Sequence, residues 1–253
     1  MMETKILMHG CNGRMGKVIS EALSDNENCF VVAGIDINTE EYFSYPVFSS
    51  PEECNIEFDV IIDFSTPKAL PSLFDFAKRK NKAIVIATTG LSTEQKNSYC
   101  ELSKSVPVFV SANMSLGINV LISLVKKAAL LLHENYDIEI TEAHHNKKID
   151  APSGTALMIA DEINKSVNEK YTYTYDRHSI REPRRVDEIG IHAIRGGSIV
   201  GDHTVYFAGS EEVLEVTHRA RSRNVFAQGA IAAAKFIAFK SPGLYSMEDL
   251  VGN

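Results

Sequence analysis

The chain has 253 residues, 44% of them hydrophobic and 23% charged, which suits one large globular domain or two modest ones. A net charge of −7 excludes a general affinity for nucleic acid or anionic membrane, so an anionic ligand must be met by local positive charge. Cys11, Cys29, Cys54 and Cys100 are scattered without disulfide or metal spacing, and the first residues carry no signal-peptide pattern. Reduced thiols, no bound metal and a cytoplasmic location are therefore expected.

Residues 5–9 form a short apolar run, followed by Gly10-Cys-Asn-Gly13-Arg-Met-Gly16 and a helical pattern through Val18, Ile19, Ala22 and Leu23. Strand, glycine turn and helix form the context of a dinucleotide fingerprint, although the spacing G-x-x-G-x-x-G is weak by itself. The next strand, residues 30–35, ends at Asp36, twenty residues beyond Gly16, where a carboxylate meets adenosine ribose hydroxyls. The following residue is Ile37 and not a cation, which favours NADH over NADPH. Further strands are expected at 58–63, 82–87 and 106–110. Helices are expected from Pro67 to about Lys80 and, behind a Ser92-to-Gln95 capping box, to about Lys104. This alternation implies a doubly wound parallel sheet. Ligands then sit off the carboxyl ends of its strands, at residues 10–16, 36, 64–67, 87–90 and 111–114.

After Asn113 the rhythm changes. A long apolar helix at about 117–133 is broken by Lys126-Lys127 and falls short of a membrane span. The alternating segment 136–142 reads as a strand and leads to His144 and His145, whose rings must point to opposite faces. Lys148 precedes Pro152-Ser-Gly-Thr155, and Ser153 is a competent N-cap for a helix from about Ala156 into Glu162. Free N–H groups and the helix dipole make that turn an anion seat. The segment thus offers a proton donor, a cation and an anion cradle. Its spacing lacks the order a metal site needs. Residues 167–188 read as a polar surface loop with solvated arginines. Strands at 189–195, 204–208 and 213–218 without helices between them imply an antiparallel or mixed sheet, hence a second α+β domain. An apolar helix at 222–240 returns to the first domain. The expected boundaries are 1–113 with 220–253 for dinucleotide binding, and 114–219 for substrate binding and oligomerisation.

The glycine turn with Arg14-Met15, Asp63-Phe-Ser-Thr-Pro67, Ala87-Thr-Thr-Gly90, Ser111-Ala-Asn-Met-Ser115 and above all residues 142–156 resemble the 4-hydroxy-tetrahydrodipicolinate reductase (dihydrodipicolinate reductase) family, over nearly the whole chain. The resemblance implies reduction of a small dicarboxylate substrate in the diaminopimelate and lysine pathway, by a homotetramer using NADH, with NADPH possible. It implies His144 as proton donor and Lys148 as an assisting acid. His145, Lys148, Ser153, Gly154 and Thr155 would hold the substrate. Gly10, Cys11, Asn12, Gly13, Arg14, Met15, Asp36, Ala87, Thr88, Thr89, Ser111, Ala112, Asn113 and Met114 would hold the dinucleotide. Three positions depart from the family pattern: Ile37, where arginine often stands, Ala87 for glycine and Met114 for phenylalanine. His218 and Arg223 are second-rank sources of positive charge. Two other readings remain open at this point: another two-domain NAD-dependent dehydrogenase of an amino acid or semialdehyde, and a non-catalytic NAD-sensing regulator.

Overall fold

A computed structural model describes residues 3–252 and divides the chain into two compact units. The first ends at Leu116 and resumes at Arg223; the second is Gly117–Ser222. The first unit opens with β1 (Thr4–His9), α1 (Arg14–Leu23), β2 (Cys29–Ile35), β3 (Val47–Phe48), β4 (Val60–Asp63), α2 (Leu70–Lys80), β5 (Ala83–Ile86), α3 (Thr93–Leu102) and β6 (Pro107–Val110). These strands lie parallel in the order β3-β2-β1-β4-β5-β6. Every residue of β4 and β5 is buried, as expected of strands covered by helices on both faces. Strand order reverses between β1 and β4, so the loops leaving these two strands diverge and open a crevice at the carboxyl edge.

Local chemistry fixes the pieces around that crevice. Helix α1 buries Gly16, Ile19, Ser20 and Leu23, a stripe at i, i+3, i+4 and i+7. The glycine turn is jammed between this helix and the next loop. A Cβ on Gly16 would lie 2.2 Å from the Gly10 carbonyl oxygen, and one on Gly10, whose φ is +79°, would lie 2.7 Å from the Phe64 carbonyl oxygen. No larger residue fits at either position. The expected capping box opens α3: Ser92 Oγ accepts from the Gln95 N–H and Gln95 Oε1 accepts from the Ser92 N–H.

The second unit holds α4 (Leu116–Leu132, whose first residue belongs to the first unit), β7 (Asp137–His144), α5 (Gly154–Ser166), β8 (Thr172–Thr174), β9 (Glu188–Arg195), β10 (Gly201–Ala208) and β11 (Val213–Ala220). Its five-stranded sheet runs β11-β10-β7-β9-β8 and is mixed: β7 pairs antiparallel with β10 and parallel with β9. Strand β7 alternates buried and half-buried residues. Its Ile138 and Ile140 share one core with Ile159 and Ile163 of α5 and with Ile118, Leu121 and Val125 of α4. The same buried face continues into Glu142 and His144, so a hydrophobic strand ends in two polar groups.

The segment 167–188 departs from expectation. It contains β8, and two of its arginines are not solvated. Arg184 is only 17% exposed in its side chain and pairs with Asp137 at 2.7 Å and Glu139 at 2.9 Å. It also donates to the carbonyls of Ile138 and Glu188. Arg177 pairs with the buried Glu188. Carboxylates from distant strands recruit these cations, which the local polar sequence does not reveal. The short β3 and β8 also lacked a long enough period to be seen.

Helix α6 (Asn224–Ile237), β12 (Gly243–Tyr245) and α7 (Met247–Val251) complete the first unit. Strand β12 adds a seventh parallel strand beside β6. Ala227, Ala230, Ala233 and Ala234 of α6 join the core formed by Met8, Ile62, Val85 and Phe109. Small residues let the helix lie close: a Cβ on Gly229 would fall 1.6 Å from the Met114 carbonyl oxygen. Among the described residues no helix is long and apolar enough to cross a membrane. Gly229→Ala should push α6 away from the segment that follows β6 and destabilise the first unit by about 1–3 kcal/mol, the usual cost of overpacking. Calorimetry should record a Tm lower by roughly 2–4 °C per kcal/mol; an unchanged Tm would mean that the helix shifts freely.

Candidate functional site

In the first unit, a cavity of about 450 Å³ opens at the crevice and is lined by His9, Gly10, Gly13, Asp36, Ile37, Ser49, Ser50, Phe64, Ser65 and Thr66, among others. Gly13 is the N-cap of α1, and no side chain of that residue caps the helix end. Asp36 Oδ2 accepts from the Asn12 N–H at 2.9 Å and Oδ1 from the Asn38 N–H at 3.1 Å, which fixes the carboxylate beside the glycine turn. The Asn12 side chain donates to the carbonyls of Asn38 and Glu40 and ties the turn to the segment after β2. Ile37 stands almost wholly in solvent at 98% exposure, and Arg14 is exposed. Cys11 is buried against Gly34. Burial, with Asp36 nearby, pushes its thiol up to about 12, so this cysteine contributes backbone and not a reactive sulfur.

Beneath this turn lies a polar cluster that the sequence did not single out. The Asp63 carboxylate has no exposed surface. Its Oδ1 accepts from His9 Nδ1 at 2.6 Å and Ser65 Oγ at 2.6 Å, and its Oδ2 accepts from Thr88 Oγ1 at 2.6 Å. One buried carboxyl group therefore joins the end of β1 to the loops after β4 and β5. Ala87 and Thr88 are buried and Thr89 is exposed. Ser111 Oγ donates to the Asn113 carbonyl, while Met114 is buried and Ala112 exposed. Met15 is half-buried.

The second unit gathers the histidine stretch at the end of β7. His144 is buried, and its Nδ1 lies 2.6 Å from Glu142 Oε2. Glu142 is itself buried and accepts three further hydrogen bonds. These come from Arg195 Nη1 at 2.8 Å, Arg195 Nη2 at 2.7 Å and the Ser153 N–H at 2.9 Å. Burial pushes the Glu142 carboxyl up, but hydrogen bonds from Arg195, His144 and the Ser153 backbone outweigh it and hold the group below the usual carboxylate range. Because the ionised carboxylate is acceptor-only, His144 Nδ1 must carry the hydrogen, and Nε2 is left as the exchangeable site. A Cβ on Gly201 would come within 3.1 Å of that Nε2, so the absent side chain keeps it uncovered.

The other expected residues lie around this dyad. His145 is half-buried, with Nδ1 lacking a hydrogen-bond partner. Lys148 pairs with Asp150 at 2.8 Å, and that hydrogen bond lowers the Asp150 carboxyl. Ser153 caps α5, its Oγ accepting from the Ala156 N–H, while Gly154 is exposed and Thr155 half-buried. The helix begins at Gly154, two residues earlier than expected. His203 packs edge-on to His144 with ring centroids 5.2 Å apart and touches Ser153 Oγ. Burial, then the neighbouring His144, drives its pKa down to about 3, so His203 is neutral and cannot compete as an acid. His218 lies in the second unit and its imidazole is lowered by burial. Arg223 is exposed in the first unit at the N-cap of α6. Glu142, Arg195 and His203 were missed by sequence reasoning. One signal was present for Glu142, because i and i+2 on a strand share a face. Arg195 stands opposite His144 and His203 opposite Glu142 only through the sheet register.

The family description "Dihydrodipicolinate reductase, N-terminus" matches residues 4–114, and "Dihydrodipicolinate reductase, C-terminus" matches residues 117–251. The chain is 55% identical over 250 residues to a 4-hydroxy-tetrahydrodipicolinate reductase of Caldanaerobacter subterraneus subsp. tengcongensis, covering 99% of each protein. It is 49% identical to one of Clostridium novyi, covering 98% of each. Among solved structures, a dipicolinate-bound dihydrodipicolinate reductase from Paenisporosarcina sp. TG-14 superposes with a TM-score of 0.82 at 24% identity. That alignment covers 97% of this chain and 98% of the other and shows the shared fold. With both halves matched and half of all positions identical across the full length, the chain belongs to the dihydrodipicolinate reductase family and is an oxidoreductase.

Proposed function

We propose that the chain reduces 4-hydroxy-tetrahydrodipicolinate to tetrahydrodipicolinate in lysine and diaminopimelate biosynthesis, with a proton delivered by His144. Full-length relatives at about half identity carry that activity in their names. The observation in this chain that supports it best is the Glu142-anchored imidazole, whose Nε2 is free to donate, in the same unit as Lys148 and the α5 N-terminus. A ring conjugated with a C=N bond gains negative character on reduction, and a proton from a placed imidazolium quenches it. The substrate's carboxylates would be held by Lys148, His145 and the N–H groups of Ser153, Gly154 and Thr155. Lys148 would exchange its present partner Asp150 for substrate.

The first unit fits a nicotinamide dinucleotide. Its glycines leave a cradle that a Cβ would fill, and Asp36 is fixed beside it. The residues that would hold it are Gly10, Cys11, Asn12, Gly13, Arg14, Met15, Asp36, Ala87, Thr88, Thr89, Ser111, Ala112, Asn113 and Met114. Bound there, the cofactor supplies hydride. NADH is the preferred form in this reading, because Asp36 meets a 2′-phosphate with repulsion and exposed Ile37 offers no neutralising charge. Exposed apolar residues on α4 (Val120, Leu124, Leu130 and Leu131) and on β11 (Val213 and Leu214) suit subunit contacts, in line with a homotetramer.

Purified protein should oxidise NADH only when given freshly generated 4-hydroxy-tetrahydrodipicolinate. His144→Gln should lower kcat by about two orders of magnitude with NADH affinity intact, whereas Lys148→Ala should mainly raise the KM for substrate. Wild-type turnover in the His144 variant would place the acid elsewhere. For the cofactor, the KM for NADH should be lower than that for NADPH, and Ile37→Arg should narrow or reverse the gap; a clear wild-type preference for NADPH overturns this part. Light scattering should give four times the chain mass, and a monomer would remove the assigned role of the apolar surface.

A further inference from the structure

Resting on the reading of His144 as proton donor, we propose that Glu142 and Arg195 form a compensated positioning pair. It fixes which nitrogen of His144 gives the proton and sets the pH range over which it does so. The geometry is that of a hub. One buried carboxylate spends its four acceptor sites on His144, on both ends of the Arg195 fork and on the backbone of Ser153. Arg195 also donates to the Asp150 carbonyl at 2.7 Å. Backbone bonds close the same ring, from the Gly196 N–H to the His144 carbonyl and from the Asn146 N–H to the Gly197 carbonyl. Donor, substrate turn and α5 N-cap are thereby tied to one charge.

A carboxylate alone at 2.6 Å would stabilise the imidazolium and make it a reluctant acid; a guanidinium alone would discharge it too early. Arg195, bonded to both oxygens of that carboxylate, offsets part of its pull on the ring. The other groups around it do not upset that balance. His203 from β10 is neutral, Lys148 and Asp150 in the turn after β7 pair with each other, and Ser153 from α5 is uncharged. The His218 imidazole on β11 is lowered by its burial, and Asp202 on β10 pairs with Arg219. Glu142 and Arg195 are therefore the two charges that govern the donor.

The sign follows from removing one charge at a time. Glu142→Gln leaves Arg195 facing the ring, so the alkaline limb of the kcat/KM pH profile should move to lower pH by about one unit. Arg195→Met leaves the carboxylate uncompensated, so the limb should move to higher pH. Arg195→Lys keeps the charge but loses the fork; its limb should stay in place while turnover falls. Opposite displacements in the first two variants support the pair, because mere loss of structure would not reverse sign. Shifts in one direction, or none, overturn it. Full activity in His144→Gln would instead overturn the donor reading beneath it, which separates the two failures. Should the charge variants not fold, the intact enzyme still decides: a low-field ring N–H proton resonance must be present and must vanish in His144→Gln. Its absence from the wild type overturns the proposal.

Discussion

A carboxylate sealed from water must find a donor for each of its oxygens, and two such groups organise this chain. Asp63 ends the central strand β4 of the first unit and Glu142 stands near the end of the central strand β7 of the second. Stranding a buried charge such as that of Glu142 without its partners costs roughly 3–5 kcal/mol, a large share of the stability of an ordinary domain. The segments that supply those donors are consequently pinned. In the first unit they are the end of β1 and the loops after β4 and β5; in the second they are the turn to α5 and the end of β9. The same constraint that stabilises the first unit thus also shapes its carboxyl edge, where ligands of open α/β sheets bind, and in the second unit it shapes the end of β7.

The two edges solve different problems. Around Asp63 the donors are neutral hydroxyls and an imidazole, and the product is a glycine turn leading into α1. Around Glu142 the donors are a guanidinium, an imidazole and a single backbone amide, and the product is one oriented ring nitrogen. A dinucleotide is recognised mainly through close backbone approach, whereas proton transfer needs one atom placed within hydrogen-bond reach.

Much of this was legible in the residues. Apolar runs of strand length alternating with 3.6-residue periodicity specify the doubly wound sheet, and the Ser92–Gln95 capping box locates the start of α3 to the residue. The glycines at 10 and 13 fall at the first unit's cavity, and the string from Glu142 to Ala156 carries the end of β7 into α5. What escaped was everything that depends on register between distant strands. Arg195 is separated from Glu142 by 53 positions and His9 from Asp63 by 54, and no local pattern announces such pairs. Arg184 failed for the same reason: its polar neighbours suggest solvent, while its partners lie on β7, more than forty residues earlier. Short strands such as β8 fail differently, because three residues are too few to show a period.

The interleaving of the first unit has a consequence for how the protein is made. Ribosomes deliver the chain from the N-terminus, so β1 to β6 emerge long before α6, yet the core around Met8, Ile62, Val85 and Phe109 includes alanines that α6 supplies. The intervening 106 residues of Gly117–Ser222 contain their own closed core and can consolidate first. During that interval α1 covers only part of that sheet face, the share belonging to α6 stands open, and the free edge of β6 awaits β12. The segment synthesised first is therefore the last to be sheltered from water, and in the nascent chain it is the part most in need of a chaperone.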